Sequence, residues 1–276
     1  MKGRIGAHEI DRLVATVAAG GRYAARAADT GDTVEVTVLD PAHTVDADIL
    51  NHDLTSIGGR AAPGLVPVVG GGVTAGRPHI VSAPVEGRPL DEVLSGGGMG
   101  AAAIDLLRPV AAALDALHDR GVVHRALTPA AVVVDGGGRG WLRYTGAHRP
   151  APSAGAYAAP EQRAGAAVSH RTDLYSFACL AYAAVTGAPP GPTPEIGGRG
   201  GAAHDEVFRR GLAAEPTDRP PSAAALMDDL VAAFGSRYRP AAGPGLRALM
   251  WVSVTVAALV VGTAVGAAVV ASGVAG

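Results

Sequence analysis

The densest run of side chains able to do chemistry lies between Leu117 and Asp135, LHDRGVVHRALTPAAVVVD. It holds two histidines, His118 and His124, two arginines, Arg120 and Arg125, and the aspartates Asp119 and Asp135. Asp135 has the type for a general base or a metal ligand. It is followed at once by Gly136-Gly137-Gly138, which reads as a hairpin with Asp135 at a strand end. His118, Asp119 and the scattered histidines show no metal-ligand spacing, so no metal is expected. Two scarcities bound the chemistry further. Lys2 is the only lysine and Asn51 the only asparagine. The single cysteine, Cys179, permits no intrachain disulfide and suits a reducing compartment.

The same stretch resembles the catalytic loop of bacterial Ser/Thr protein kinases, H-R-D-L-K-P-x-N followed by a short apolar strand. His124, Arg125, Leu127 and Pro129 match that pattern. Where the family has its catalytic Asp, its Lys and its Asn stand Ala126, Thr128 and Ala131. The frame is kept and the chemistry is removed. The resemblance implies an α+β, two-lobed protein-kinase-like fold, with a small β-rich lobe over residues 8–84 and a larger helical lobe over 85–234.

The elements that must position this loop can be taken in order. Residues 8–40 read as strands with turns, ending in the alternation Val34, Val36, Val38. In the register of the resemblance, the glycine-rich loop G-x-G-x-x-G falls on residues 15–20, from Ala15 to Gly20, and only its third glycine survives. Val17 would crowd the approach of backbone to phosphate. The nucleotide lysine falls on Thr37. DADILNHDL reads as a helix and puts Asp53 where the family's lysine-pairing Glu belongs. With no lysine to meet, Asp53 is expected to be a solvated surface acid. PHIVSAPVEG resembles the hinge, where the carbonyl of Ala83 and the N–H of Val85 would be the contacts for adenine.

Ile104, Leu106, Leu107, Val110, Leu114 and Leu117 have helical spacing, in a helix that Pro109 should kink. The D-F-G motif aligns on Tyr144, Thr145 and Gly146, and an uncharged tyrosine cannot hold the metal that its Asp holds in the family. The segment from Gly146 to Gln162 has no threonine and one serine, Ser153, so the usual phosphothreonine switch is absent. Ala159-Pro160-Glu161 matches A-P-E, and SHRTDLYSFACLAYAAVTGAPP follows the family closely. The resemblance gives three structural roles. Asp173 would accept hydrogen bonds from catalytic-loop amides, Glu161 and Arg219 would form an ion pair, and His124 and Arg125 would be scaffolding of the loop. A loose loop is expected over 187–203, then two helices, the second capped by Ser222.

A linker follows over 235–247, and no charge occurs over 248–271. Those 24 residues would make a helix of about 36 Å, against roughly 30 Å of hydrocarbon. A single-pass membrane span is expected. Arg237, Arg239 and Arg247 precede it, which puts the folded part in the cytoplasm and a tail at 272–276 outside. Gly262 and Gly266 could pack a homodimer. No signal peptide is expected, because Glu9, Asp11 and Arg12 interrupt the first apolar run. A net charge of -2 excludes a basic nucleic-acid binder. Together these readings describe a membrane-anchored pseudokinase that docks cytoplasmic or membrane proteins, such as an active Ser/Thr kinase or cell-envelope machinery. No cofactor is expected, although the hinge backbone leaves ATP binding open. The alternatives are a kinase-like enzyme with non-standard residues and a nucleotide-sensing pseudokinase.

Overall fold

A computed structural model of the chain describes residues 3–17, 20–148, 152–191 and 202–235. All of them lie in one compact unit, residues 1–239. The linker beyond residue 235, the expected span 248–271 with Gly262 and Gly266, the tail 272–276, Ala18 and Ala19 of the glycine-loop register, the side chain of Ser153 and most of the expected loop before 203 lie outside the described residues. Among the described residues no helix is long and apolar enough to cross a membrane.

The N-terminal lobe is an antiparallel sheet. Its strands are β1 (Gly3–Ile5), β2 (His8–Val17), β3 (Gly20–Ala27), β4 (Thr33–Leu39), β5 (Val68–Thr74) and β6 (Arg77–Ser82), in the spatial order β1-β2-β3-β4-β6-β5. The lobe therefore starts earlier than residue 8, with β1 paired to β2. Alternation decides the faces of β4. Val34 and Val36 join a small core with Ile10, Ala25 and Val81. Glu35 and Thr37 then point to the other face, toward the C-terminal lobe. Helix α1 (Ala47–Ile57) packs against β5.

After Ser82 the chain crosses to the C-terminal lobe through the expected hinge. A second sheet of β7 (Arg88–Pro89), β8 (Val132–Val134) and β9 (Gly140–Leu142) lies against α3 (Ala103–His118). A short helix, α2 (Leu90–Leu94), precedes α3, which runs unbroken through Pro109. Gly140 is required here, because a Cβ would meet the Leu106 carbonyl oxygen of α3 at 2.5 Å.

The turn α4 (Pro160–Arg163) leads into α5 (His170–Thr186), then α6 (Ala202–Gly211) and α7 (Ala223–Phe234). Helix α5 is the centre of the lobe and buries residues on every side, as a helix apolar all round must. Its start is fixed by a Ser169–Thr172 capping box and its end by Gly187 in the left-handed conformation. Ser222 caps α7 by accepting from the Ala225 N–H at 3.0 Å.

Candidate functional site: the cleft between the lobes

The loop from Val122 to Ala131 lies between α3 and β8 and is held from below by α5. Asp173 is fully buried and accepts from the backbone N–H groups of His124 and Arg125, both at 2.7 Å. Its carboxylate also accepts from Nε2 of His118 at 2.9 Å. These charge-assisted bonds hold Arg125 at a φ of 66°, a region that non-glycine residues rarely occupy. His124 is buried and donates from Nε2 to the Arg143 carbonyl at 2.7 Å. That carbonyl can only accept, so Nε2 carries the proton, and burial keeps the ring's pKa below its ordinary value. Gln162 donates to the Arg125 carbonyl at 2.7 Å and so ties the loop to α4.

Below the cleft, Arg219 reaches Glu161 with two bonds, at 2.7 and 2.8 Å, and its side chain is wholly buried. It also donates to the carbonyls of Arg171, Ala213 and Ala214. Burial alone would raise the Glu161 pKa, but the bonds from Arg219 and other donors bring it below the ordinary carboxylate value.

The expectation for Asp53 is overturned. It is 1% exposed, not solvated. Its carboxylate accepts from Arg125 at 2.9 Å and from the Tyr144 hydroxyl at 2.6 Å. The physical reason lies in the helix period. Leu50, Asp53, Leu54 and Ile57 share the buried face of α1, so Asp53 must enter the cleft. There the loop arginine and the tyrosine at the D-F-G position serve as partners in place of a lysine. Burial first, then the Asp53 charge and hydrogen bond, push the Tyr144 pKa far above its ordinary value, so its hydroxyl stays a donor. Backbone bonds reinforce the same junction: Val45 N–H donates to the Gly146 carbonyl at 3.0 Å, and Val66 N–H to the Leu142 carbonyl at 2.8 Å.

The roof of the cleft carries a second polar cluster. Arg22 lies opposite Thr37 in the β3–β4 ladder, and Glu35 lies opposite Ser82 in the β4–β6 ladder. Glu35 thus stands one residue from the hinge, where Ala83 N–H donates to Pro67. From the floor, the buried Arg143 reaches up and pairs with Glu35. Arg22 Nε stands 3.8 Å from the same carboxylate. Between roof and floor, among the described residues, lies a small pocket of about 20 Å³, lined by Thr37, Val66, Val68, Ile80, Ser82, Arg143 and Tyr144.

The surviving glycine of the expected phosphate loop also has a local reason. A Cβ on Gly20 would meet the Val38 carbonyl oxygen at 1.9 Å, so Gly20 permits the close approach of β3 and β4. Asp135 does not enter the cleft. Its oxygens accept from the N–H groups of Gly137 and Arg139 and from Trp141 Nε1, all within the β8–β9 hairpin. Ala126 and Ala131 are buried, and Thr128 stands before the turn Pro129–Ala131.

Among solved structures, the chain is similar to the kinase domain of Mycobacterium tuberculosis PknI. The identity is 26%, the TM-score is 0.74, and the match covers 85% of this chain and 98% of that domain. This is a protein-kinase fold. Two lobes, a hinge and an interlobe cleft are therefore kinase features of this chain. By sequence it is similar to bacterial Ser/Thr protein kinases. It is 27% identical to the Ser/Thr kinase PknD of M. tuberculosis over 251 residues, covering 78% of this chain and 38% of PknD. It is also 27% identical to the Ser/Thr kinase Pkn1 of Myxococcus xanthus, covering 87% of this chain and 40% of Pkn1. The chain thus spans about two fifths of the length of these curated relatives. No family model matches it.

In this kinase-fold chain, Thr37 and Tyr144 meet at one cavity, whereas Asp135 is elsewhere. Sequence reasoning missed Arg22, Glu35 and Arg143. The available signal was a charge at alternate positions of apolar strands, in TVEVTVL and in GWLRY.

Proposed function

We propose that this chain is a membrane-anchored pseudokinase that acts as a protein-binding scaffold without phosphoryl transfer. The observation that carries the reading is the interlobe polar network. Glu35 pairs with Arg143, and Asp53 with Arg125 and Tyr144, across the space a nucleotide would need. Phosphoryl transfer depends on positioned metal ions, a phosphate-binding lysine and a base. Thr37, Ala126, Thr128, Ala131 and Tyr144 offer none of these chemistries, and the other candidate acid, Asp135, is spent within its own turn. With the lobes joined by their own side chains, the surface has one shape whether or not ATP is present. That suits docking of a cytoplasmic or membrane protein, of which an active Ser/Thr kinase or a cell-envelope assembly is the class proposed. The uncharged stretch 248–271 would be the anchor, with the kinase fold on the cytoplasmic side.

The test is thermal unfolding of the full chain with ATP, with and without magnesium. A ligand at 100 times its Kd adds about 2.7 kcal/mol to stability. No shift is expected in either condition. A magnesium-dependent shift would overturn the reading in favour of an enzyme. A magnesium-independent shift would replace it with a nucleotide sensor that uses Ala83 and Val85.

A further inference from the structure

The roof and floor of the cleft do not balance in charge. Arg22 and Arg143 both converge on one carboxylate, Glu35, while Asp53 is matched separately by Arg125. One positive charge is therefore left over in a region where Arg143 is 9% exposed and the Arg22 side chain 11%. Buried charge without a counter-charge is costly, and buried N–H groups are expected to find acceptors. Here the Nε atoms of both arginines are buried with no hydrogen-bond partner among the described residues. Burial lowers the Arg143 pKa, Glu35 partly offsets this, and the Arg22 charge lowers it further. Beside Arg143 lies the cavity of about 20 Å³, with the hydroxyl-bearing Thr37 and Ser82 in its wall. That volume admits one water or one ion of similar size.

We propose that the closed cleft is a binding site for one small monovalent anion of chloride size, held against Arg143 Nε and the hydroxyls of Thr37 and Ser82. Arg22 supplies the second positive charge. The anion takes up the unused donor and the surplus charge together, which a water molecule cannot do. It binds only the closed lobes and so stabilises them. The site does not depend on the scaffold reading above, since an anion here would be equally compatible with any partner.

The experiment is thermal unfolding of the full chain in sodium chloride against sodium gluconate at equal ionic strength. It is paired with anomalous diffraction from crystals grown in sodium bromide. Expected is a midpoint about 3 °C higher in chloride, rising with the logarithm of its concentration. An anomalous peak within hydrogen-bonding distance of Arg143 Nε is expected in the cleft. The halide effect should vanish in Arg143→Gln. That change leaves Glu35 with one arginine fewer and could unfold the protein, so Arg22→Gln, expected to weaken the halide effect at least tenfold in concentration, is the second variant. Equal midpoints in the two salts, or a water with no bromide signal at the site, would overturn the proposal. So would a halide effect that survives Arg22→Gln unchanged.

Discussion

Two polar networks in the same chain have opposite relations to the kinase pattern. Beneath the loop, Asp173, Glu161 and Arg219 are the residue types that the pattern has; Asp173 holds backbone N–H groups, and Glu161 and Arg219 hold each other. Above it, in the cleft, nearly every type has changed. The replacements bond with one another instead: Tyr144 with Asp53, and Arg143 with Glu35. The lower network holds loop, α4 and α5 in place, so its geometry is needed by any protein with this fold. The upper positions in a kinase face ligand. In this chain the side chains at those positions meet one another, as buried polar groups must find partners. The difference teaches that one network ties side chains to the backbone of a loop, whereas the other ties side chains of the two lobes to each other.

The comparison breaks first if the lower network proves dispensable. Arg219→Ala removes a buried guanidinium from Glu161 and three carbonyls. Stranding one partner of such a pair costs about 3–5 kcal/mol. Urea unfolding should show that loss with an unchanged m-value, and a loss below about 1 kcal/mol would mean the pair is ornamental. The cleft should respond in the same currency, only less. Tyr144→Phe deletes one bond to a buried carboxylate, worth about 1.5–3 kcal/mol, while Arg125 still holds Asp53. The same change in an open, ligand-receiving cleft would be close to neutral. A neutral Tyr144→Phe in urea would thus show that the lobes are not latched in solution.

How much of this was legible in the sequence depends on which force placed each residue. The strands, α1, α3 and the caps at Ser169 and Ser222 follow local period and local bonding, which a single chain displays. Gly140 and Gly20 answer to backbones distant in sequence, Leu106 and Val38, which spacing does not show. Asp53 was within reach. Its place between Leu50, Leu54 and Ile57 on one helical face was written in the sequence. Comparison with the kinase pattern hid it, because the pattern supplied a missing lysine and not the actual partners. Arg22, Glu35 and Arg143 belong to no surviving motif. The meeting of Glu35 and Arg143 across 108 residues of separation is set by the way the lobes come together, which no local reading contains.

The smallest effect concerns acid. His124 lies in both comparisons, since it is seated beside Asp173 and donates to Arg143 at the cleft floor. Burial lowers its pKa, and burial also lowers those of His79 and His170. A histidine with a lowered folded pKa binds its proton more readily in the unfolded chain. Stability from it is therefore complete above the unfolded value, near 6.5, and declines as pH falls from there toward the folded pKa. For the fully buried His124 the slope is at most about 1.4 kcal/mol per pH unit. Glu161, with a lowered pKa, begins to add its own loss only below the ordinary carboxylate range, near pH 4.3. Urea midpoints taken from pH 7.5 to 5.5 should thus fall before Glu161 begins to titrate. His124→Gln should lower the whole curve and flatten this upper limb. If the limb keeps its full slope in His124→Gln, the decline belongs to His79 and His170, and the loop histidine is not the group that makes the cleft floor sensitive to acid.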